Sequence, residues 1–319
     1  MLPDRVDRVV DHRVNRRVIA AAWATLVVQI GIVGTGGLVR LTGSGLGCPT
    51  WPECTAGSLV NTPEMGIHGV IEFGNRLLTF VLVLVAIVTF LLVWRKRRER
   101  RDLFWLALVI GLYVPVQAVI GGITVLTNLN PYVVGLHFFA SAVLVALSAV
   151  FVARVYAPPG PRVRAVPRWY AVTALLTGLF VTITVIIGIL VTGSGPHAGD
   201  GGAARNGLDS EMLQHVHSWP AYITLALSLV LLVGAWRRRG PTKLPLWTAA
   251  LVGMELAQIG VGLWQARSGL PAVLVGIHMV LAMLLIAAMT AVIMHLWIPA
   301  RDASPAPIAR VDALSVSGR

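Results

Sequence analysis

Hydrophobic and polar positions alternate along this chain on a coarse scale, with long apolar runs broken by short polar or basic blocks. Eight runs, at about 18–40, 67–94, 103–126, 132–156, 169–192, 211–236, 245–267 and 271–298, are each long enough to cross a hydrocarbon layer at a rise of ~1.5 Å per residue. The pattern predicts an all-α integral membrane protein with eight transmembrane helices. The first run is longer than the core of a signal peptide and follows the arm "MLPDRVDRVVDHRVNRR", so it reads as a retained helix preceded by a basic arm, residues 1–17. The stretch "RDASPAPIARVDALSVSGR", residues 301–319, reads as a disordered tail.

The runs repeat after four helices. "RLTGSGLG" at 40–47 is similar to "LVTGSGPHAGD" at 190–200; further on, Gln117 and Gly121 match Gln258 and Gly262, "VGLH" (134–137) matches "VGIH" (275–278), and "EFGN" (72–75) matches "QHVH" (214–217). Four crossings return a chain to its starting side, so the halves are expected to be parallel, pseudo-symmetric four-helix bundles, 18–156 and 157–300, related by an axis along the membrane normal. Such bundles hold cofactors between facing helices.

Composition agrees, with 56% hydrophobic and 13% charged residues and a mean hydropathy of +0.77. The net charge of +12 does not point to nucleic acid, because the basic residues sit in blocks between the runs. The arm, the tail, Arg154 and the loops "RKRRERRD", "PPGPRVRAVPR" and "RRRGPTK" hold 22 of the 26 Lys and Arg. By the positive-inside rule these parts, both termini included, face the cytoplasm of a bacterial plasma membrane. Contact with anionic lipid is a secondary consequence.

Ionisable side chains inside a membrane are costly and mark interior sites. His68, His137, His217 and His278 each lie within about two turns of the outer end of an even-numbered helix. His137, His217 and His278 share one layer, roughly 9–11 Å below the starts of their helices at Pro131, Glu211 and Pro271. Two such histidines on neighbouring helices can ligate a heme iron from both faces. Zinc fits less well, because no Cys or second His follows at metal-site spacing within a helix. The competing reading is an interhelical hydrogen bond to Ser, Thr or a backbone carbonyl. In "HGVIEFGNR", His68, Glu72, Asn75 and Arg76 share one helix face. Either Glu72 and Arg76 form an ion pair at the membrane edge, or Glu72 moves protons and Arg76 meets a heme propionate or other anion. Gln214 stands at the place of Glu72 in the second half, which favours the second alternative. His215, His295 and His12 are given no role.

Cys48 and Cys54 share the first outer loop, in "TGSGLGCPTWPEC", and are expected to form a disulfide. It serves as a pin for the loop or as a redox-active pair. The second half has no cysteines, so the repeat itself does not require them.

The ordered set "TGSGLGCPTWPEC", "IEFGNR", "GLHFFASA", "TGSGPHAGD", "QHVHS" and "GIHMVLA" resembles heme A synthases over about residues 20 to 298, closely the actinobacterial type. The resemblance implies oxidation of the ring-position-8 methyl of heme O to the formyl of heme A, by successive oxygen-dependent hydroxylations and loss of water. It also implies a heme b between His217 and His278 in the C-terminal half as electron-transfer cofactor. The substrate heme would lie in the N-terminal half, where Glu72 and His137 match the family's glutamate and histidine, and Cys48 and Cys54 match a loop cysteine pair. Heme O synthase is the implied upstream partner, cytochrome c oxidase assembly the downstream one, a quinol the candidate electron donor, and a homo-oligomer a candidate assembly. Many members read Glu-x-x-His-Arg on the second helix, whereas this chain has Asn75 at the His position. The alternatives are His68 as substitute ligand or His137 alone.

Two other classes compete. A two-heme electron carrier of the cytochrome b561 kind predicts equivalent sites, against which the Glu72/Gln214 and Asn75/His217 pairs argue. A solute transporter predicts polar groups at mid-depth, whereas the histidines lie near the outer face.

Overall fold

The computed structural model describes residues 14–237 and 243–300; the expectations for the first part of the arm and for 301–319 fall outside them. Among the described residues eight helices are long and apolar enough to cross a membrane: α1 (Arg16–Leu41), α2 (Gly66–Trp94), α3 (Arg101–Leu126), α4 (Pro131–Val155), α5 (Arg168–Ser194), α6 (Ser210–Arg237), α7 (Leu244–Arg267) and α8 (Ala272–Met294). Their ends follow local chemistry. Asn15 caps α1 through Arg17 N–H, and Asn130 caps α4 through Tyr132 N–H, both at 3.0 Å, with Pro131 in the first turn of α4.

The eighth helix was expected to run to 298 but stops at Met294. Residues Trp297–Pro299 form β2, which pairs antiparallel with β1 (Arg162–Arg164). "LWIP" continues the apolar run, and hydropathy does not distinguish a buried strand from another helical turn. His295 closes α8 with its Nδ1 2.8 Å from the Ala291 carbonyl.

Packing divides the helices into two closed rings. In the first, α1 meets α2, α2 meets α3, α3 meets α4 and α4 returns to α1; the second repeats this with α5 to α8. The rings join through α4 on α8, α1 on α8 and α4 on α5, so α1, α4, α5 and α8 are central. One core gathers Ala22, Leu103, Leu144 and Phe151 with Met283 from α8. The other gathers Tyr170, Leu231, Leu251 and Val292. Phe80, Trp105, Trp219, Leu246 and Trp264 are exposed on the outer helices, the arrangement a lipid environment favours.

The end that carries the long loops joins the two rings, and the basic end is tied within the first ring. At the end carrying the long loops, Arg40 of α1 donates to the carbonyls of His197 (2.7 Å) and Thr192 (3.0 Å), and Gly45 N–H donates to the Gly199 carbonyl (2.7 Å). At the basic end, buried Arg100 pairs with Asp102 and donates to the Arg154 carbonyl at 2.6 Å.

Phe151 is fully buried in the first core, and truncation leaves its neighbours without partner atoms. Phe151→Ala is expected to destabilise the purified protein by about 3–5 kcal/mol, read as a lower Tm in detergent; an unchanged Tm would show that this core relaxes into the gap.

Candidate functional site

Three histidines occupy the same kind of niche. The Cε1 edge of each ring faces a glycine on the preceding helix, so close that a Cβ there would sit 3.2 Å from His137 (Gly121), 2.9 Å from His217 (Gly188) and 3.1 Å from His278 (Gly262). A fourth niche completes the set, with Gly36 of α1 facing the Asn75 amide of α2 at 4.0 Å. Each ring therefore contributes two such positions: Asn75 and His137 in the first, His217 and His278 in the second. Asn75 Oδ1 also accepts from Thr35 Oγ1 at 2.8 Å.

The helix pairs behind the niches match as well. Gln117 donates to the His137 carbonyl at 3.3 Å, and Gln258 to the His278 carbonyl at 3.1 Å. The Nδ1 atoms of His137, His217 and His278 are buried without a well-formed hydrogen bond among the described residues, although the Thr184 carbonyl lies beside His217 and the Gln258 carbonyl beside His278.

His217 and His278 face each other with ring centres 6.3 Å apart and planes inclined by 68°. With a metal–imidazole bond of about 2.0–2.1 Å and the ring centre roughly 1.1 Å beyond the bonding nitrogen, two imidazoles on opposite sides of one metal have centres ~6.3 Å apart. The gap thus matches one metal atom. Among the described residues no group of three or more His, Cys, Asp or Glu side chains gathers as a metal site. A metal here would need most of its donors from a bound group.

Glu72 and Arg76 form the ion pair that was one of the two sequence alternatives, and together they make a loop contact the sequence did not reveal. Glu72 is buried; one carboxylate oxygen accepts Cys48 N–H at 2.6 Å, and the other accepts Arg76 Nη2 at 2.6 Å and Nε at 3.2 Å. Arg76 also donates to the carbonyls of Cys48 (3.0 Å), Thr50 (3.0 Å) and Glu53 (3.2 Å). This pair clamps the loop between α1 and α2 onto α2, and the loop is closed by the Cys48–Cys54 disulfide. A Cβ on Gly47 would collide with the His68 carbonyl, so the loop lies directly on the helix backbone.

The other histidines are set apart. His68 is exposed, with Nδ1 2.9 Å from Ser44 Oγ, in an open cleft lined by Thr42, Gly47, Met65 and Asp200. His215 is exposed. His295, beside Trp247, has its pKa held below the usual histidine range by burial and, further, by the charges of Lys243 and Arg162, against its hydrogen bond to Ala291. Two polar residues went unnoticed in the sequence. His197 reaches the Leu270 carbonyl at 2.8 Å. Glu255, buried in α7, stood out in principle as that helix's single acid.

The family model described as "cytochrome oxidase assembly protein" (COX15-CtaA) matches residues 20–199. That is more than half of the chain, and the chain belongs to this family. Its relatives include heme A synthases of Listeria welshimeri (35% identical over 130 residues, 39% of this chain and 42% of the relative) and Lysinibacillus sphaericus (30% over 176 residues, 52% and 54%). That of Bacillus pumilus is 34% identical over 131 residues, 39% and 41% of the two chains. The aligned part thus spans about half or less of these relatives.

Hydrogen bonds to charged groups contribute about 1.5–3 kcal/mol each, and Arg76 makes three to loop carbonyls. Arg76→Met is therefore expected to raise amide exchange across residues 47–55 by at least about 10-fold, measured by hydrogen–deuterium exchange with mass detection. Wild-type protection would show that the disulfide alone holds the loop.

Proposed function

We propose that this protein is a heme A synthase, of the actinobacterial type that its motifs resemble. It would oxidise the ring-position-8 methyl of heme O to the formyl of heme A, for cytochrome c oxidase assembly. The observation that carries the reading is the asymmetry of two otherwise equivalent sites. The second ring offers two imidazoles with a one-metal gap, whereas the first offers one imidazole, Asn75 at the position that the repeat makes equivalent to His217, and a carboxylate under a disulfide loop. A site complete in ligands suits a resident electron carrier, and one with a weak ligand and a titratable group suits a substrate.

The residues of the second ring fit a heme b. The glycines at 188 and 262 leave the imidazoles room that a side chain would fill, and two ligands suffice because the porphyrin supplies four more donors. Bound there, heme b supplies one-electron transfer. His217 and His278 hold it, and the carbonyls of Thr184 and Gln258 stand behind the rings as orienting acceptors.

In the first ring His137 and Asn75 hold the substrate heme, with His68 at the rim of the cleft rather than in a glycine niche. Glu72 is the proton-transfer group. Cys48 N–H fixes one of its oxygens, so the loop sets where the proton is given or taken. Arg76 orients Glu72 and closes the loop; meeting a propionate would cost some of its carbonyl bonds. Basic loops at the opposite end support a cytoplasmic assignment for that end and an extracytoplasmic one for both heme sites of a plasma-membrane protein. A quinol remains the proposed donor, and heme O synthase the proposed supplier.

A two-heme electron carrier is disfavoured by the same asymmetry. Purification from cells that make heme O, with extraction and mass detection of the hemes, separates the two readings. Heme b together with heme O, a hydroxylated intermediate or heme A is expected; two heme b per chain would sink the enzyme reading. Glu72→Gln is expected to retain heme b and lower heme A formation by at least about 100-fold, and an unchanged yield would remove Glu72 from the chemistry. Gly262→Leu, which fills the niche of His278, is expected to abolish the heme b spectrum, while Gly253→Ala, where a Cβ meets open space, retains it.

A further inference from the structure

Glu255 is 4% exposed and lies roughly 17 Å from Leu244 and 18 Å from Arg267 along α7, at ~1.5 Å per residue. It therefore sits near mid-membrane, deeper than the histidine layer. One carboxylate oxygen accepts Ser228 Oγ of α6 at 2.7 Å; the other is buried with no partner among the described residues. It does not stand alone on its helix. Thr248, Glu255, Gln258 and Gln265 fall within a sector of about 100° at 3.6 residues per turn. Gln258 and Gln265 likewise keep their side-chain oxygens buried and unpaired, while Gln258 donates to the His278 carbonyl. A polar stripe thus runs from Glu255 to the backbone of a heme-site histidine.

The repeat shows that the fold does not need the Glu255–Ser228 pair. In the register that matches Gln258 to Gln117, Glu255 corresponds to buried Val114; in the register that matches His217 to Asn75, Ser228 corresponds to Ala86. Both members of the pair are apolar in the first ring. An ionised carboxylate at such a depth costs several kcal/mol, which a local change of charge would offset.

We propose that Glu255 is a redox-linked proton site of the second ring: it binds a proton when an electron enters the group held by His217 and His278, and releases it when the electron leaves. This rests on the reading that the second ring holds heme b. The electron comes from a one-electron reductant and stays on the heme; the proton comes from water and forms one O–H bond at the carboxylate. Proton uptake cancels the charge added in a medium of low dielectric constant. By linkage, protonated Glu255 favours the reduced state. Helix α7 packs on α6 and α8. The titratable or charged residues there are Glu211, His215, His217, Tyr222 and Arg237 of α6 and His278 of α8, with Arg267 on α7 itself. Glu211, Arg237, Arg267 and Lys243 stand at helix ends, Tyr222 and His215 are exposed, and His295 lies on Trp247 toward the basic end; the remaining titratable groups are the two histidines toward the other end, which would keep a fixed charge while holding iron.

The test uses the purified full-length holoprotein, with heme b quantified first by its dithionite-reduced spectrum. Potentiometric titration at a series of pH values is expected to show a midpoint potential that falls as pH rises. Redox difference infrared spectra should show a carboxylic acid carbonyl band gained on reduction and shifted in D2O. Glu255→Gln is expected to keep the heme and lose both the pH slope and the band. A heme whose wild-type potential ignores pH, a wild-type spectrum without the band, or a variant that retains the slope would each overturn the proposal, the first two without needing the variant. Absence of heme b from the wild-type protein would overturn the functional reading and this inference with it.

Discussion

A polar side chain in hydrocarbon has no water to turn to, so the protein has to supply its partner or bind something that does. That constraint organises this molecule. Glu72 is met by Cys48 N–H and Arg76, Asn75 by Thr35, and Arg40 by two carbonyls of the other ring. Of the buried side-chain atoms left without a partner among the described residues, several fall at repeat-related positions. The Nδ1 atoms of three histidines and the side-chain oxygens of two repeat-related glutamines are unpaired in the interior, around niches that glycines keep open. That part of the residual polarity is repeated at matching positions in the two rings.

The same constraint makes the differences between the halves informative. A duplicated bundle could carry two equal sites, yet each ring has an acid that the other lacks, at a different depth. Glu72 is near the loop end, joined to a cross-linked loop; Glu255 is central, joined to Ser228. Each pairing answers a local electrostatic need, since the partner positions Gln214, Val114 and Ala86 show that the scaffold stands without them. The fold is shared, and the buried acids are divided between the rings.

Much of this was legible in the sequence, for definite reasons. The eight helices follow from run length alone, and the common depth of His137, His217 and His278 from counting residues past each helix start. The repeat register already made Asn75 the counterpart of His217, and it matched Gly121 with Gly262 without saying why; their purpose needs the neighbouring helix. The Glu72–Cys48 bond was out of reach because it depends on how a loop containing two prolines folds back over α2. The end of α8 was misread because Leu296 to Pro299 are as apolar as the helix before them. Glu255 is a lone acid of α7 away from the histidine layer, and its burial against Ser228 shows only in three dimensions.

The short β1–β2 ribbon ties the connector that enters the second ring to the residues that leave it. The second ring is thereby a loop of chain held shut at its own base, while the first has no such closure among the described residues. Covalently the rings are joined through one connector, held to the first ring by Trp23 Nε1 on Tyr156 OH at its start and to the second by the ribbon. A cut just before Arg162 would therefore leave the second ring with both of its ends still secured, and the two halves would stay together through the faces of α1, α4, α5 and α8 and the Arg40 and Gly45 ties at the far end. This is the behaviour of two subunits that happen to share a peptide bond.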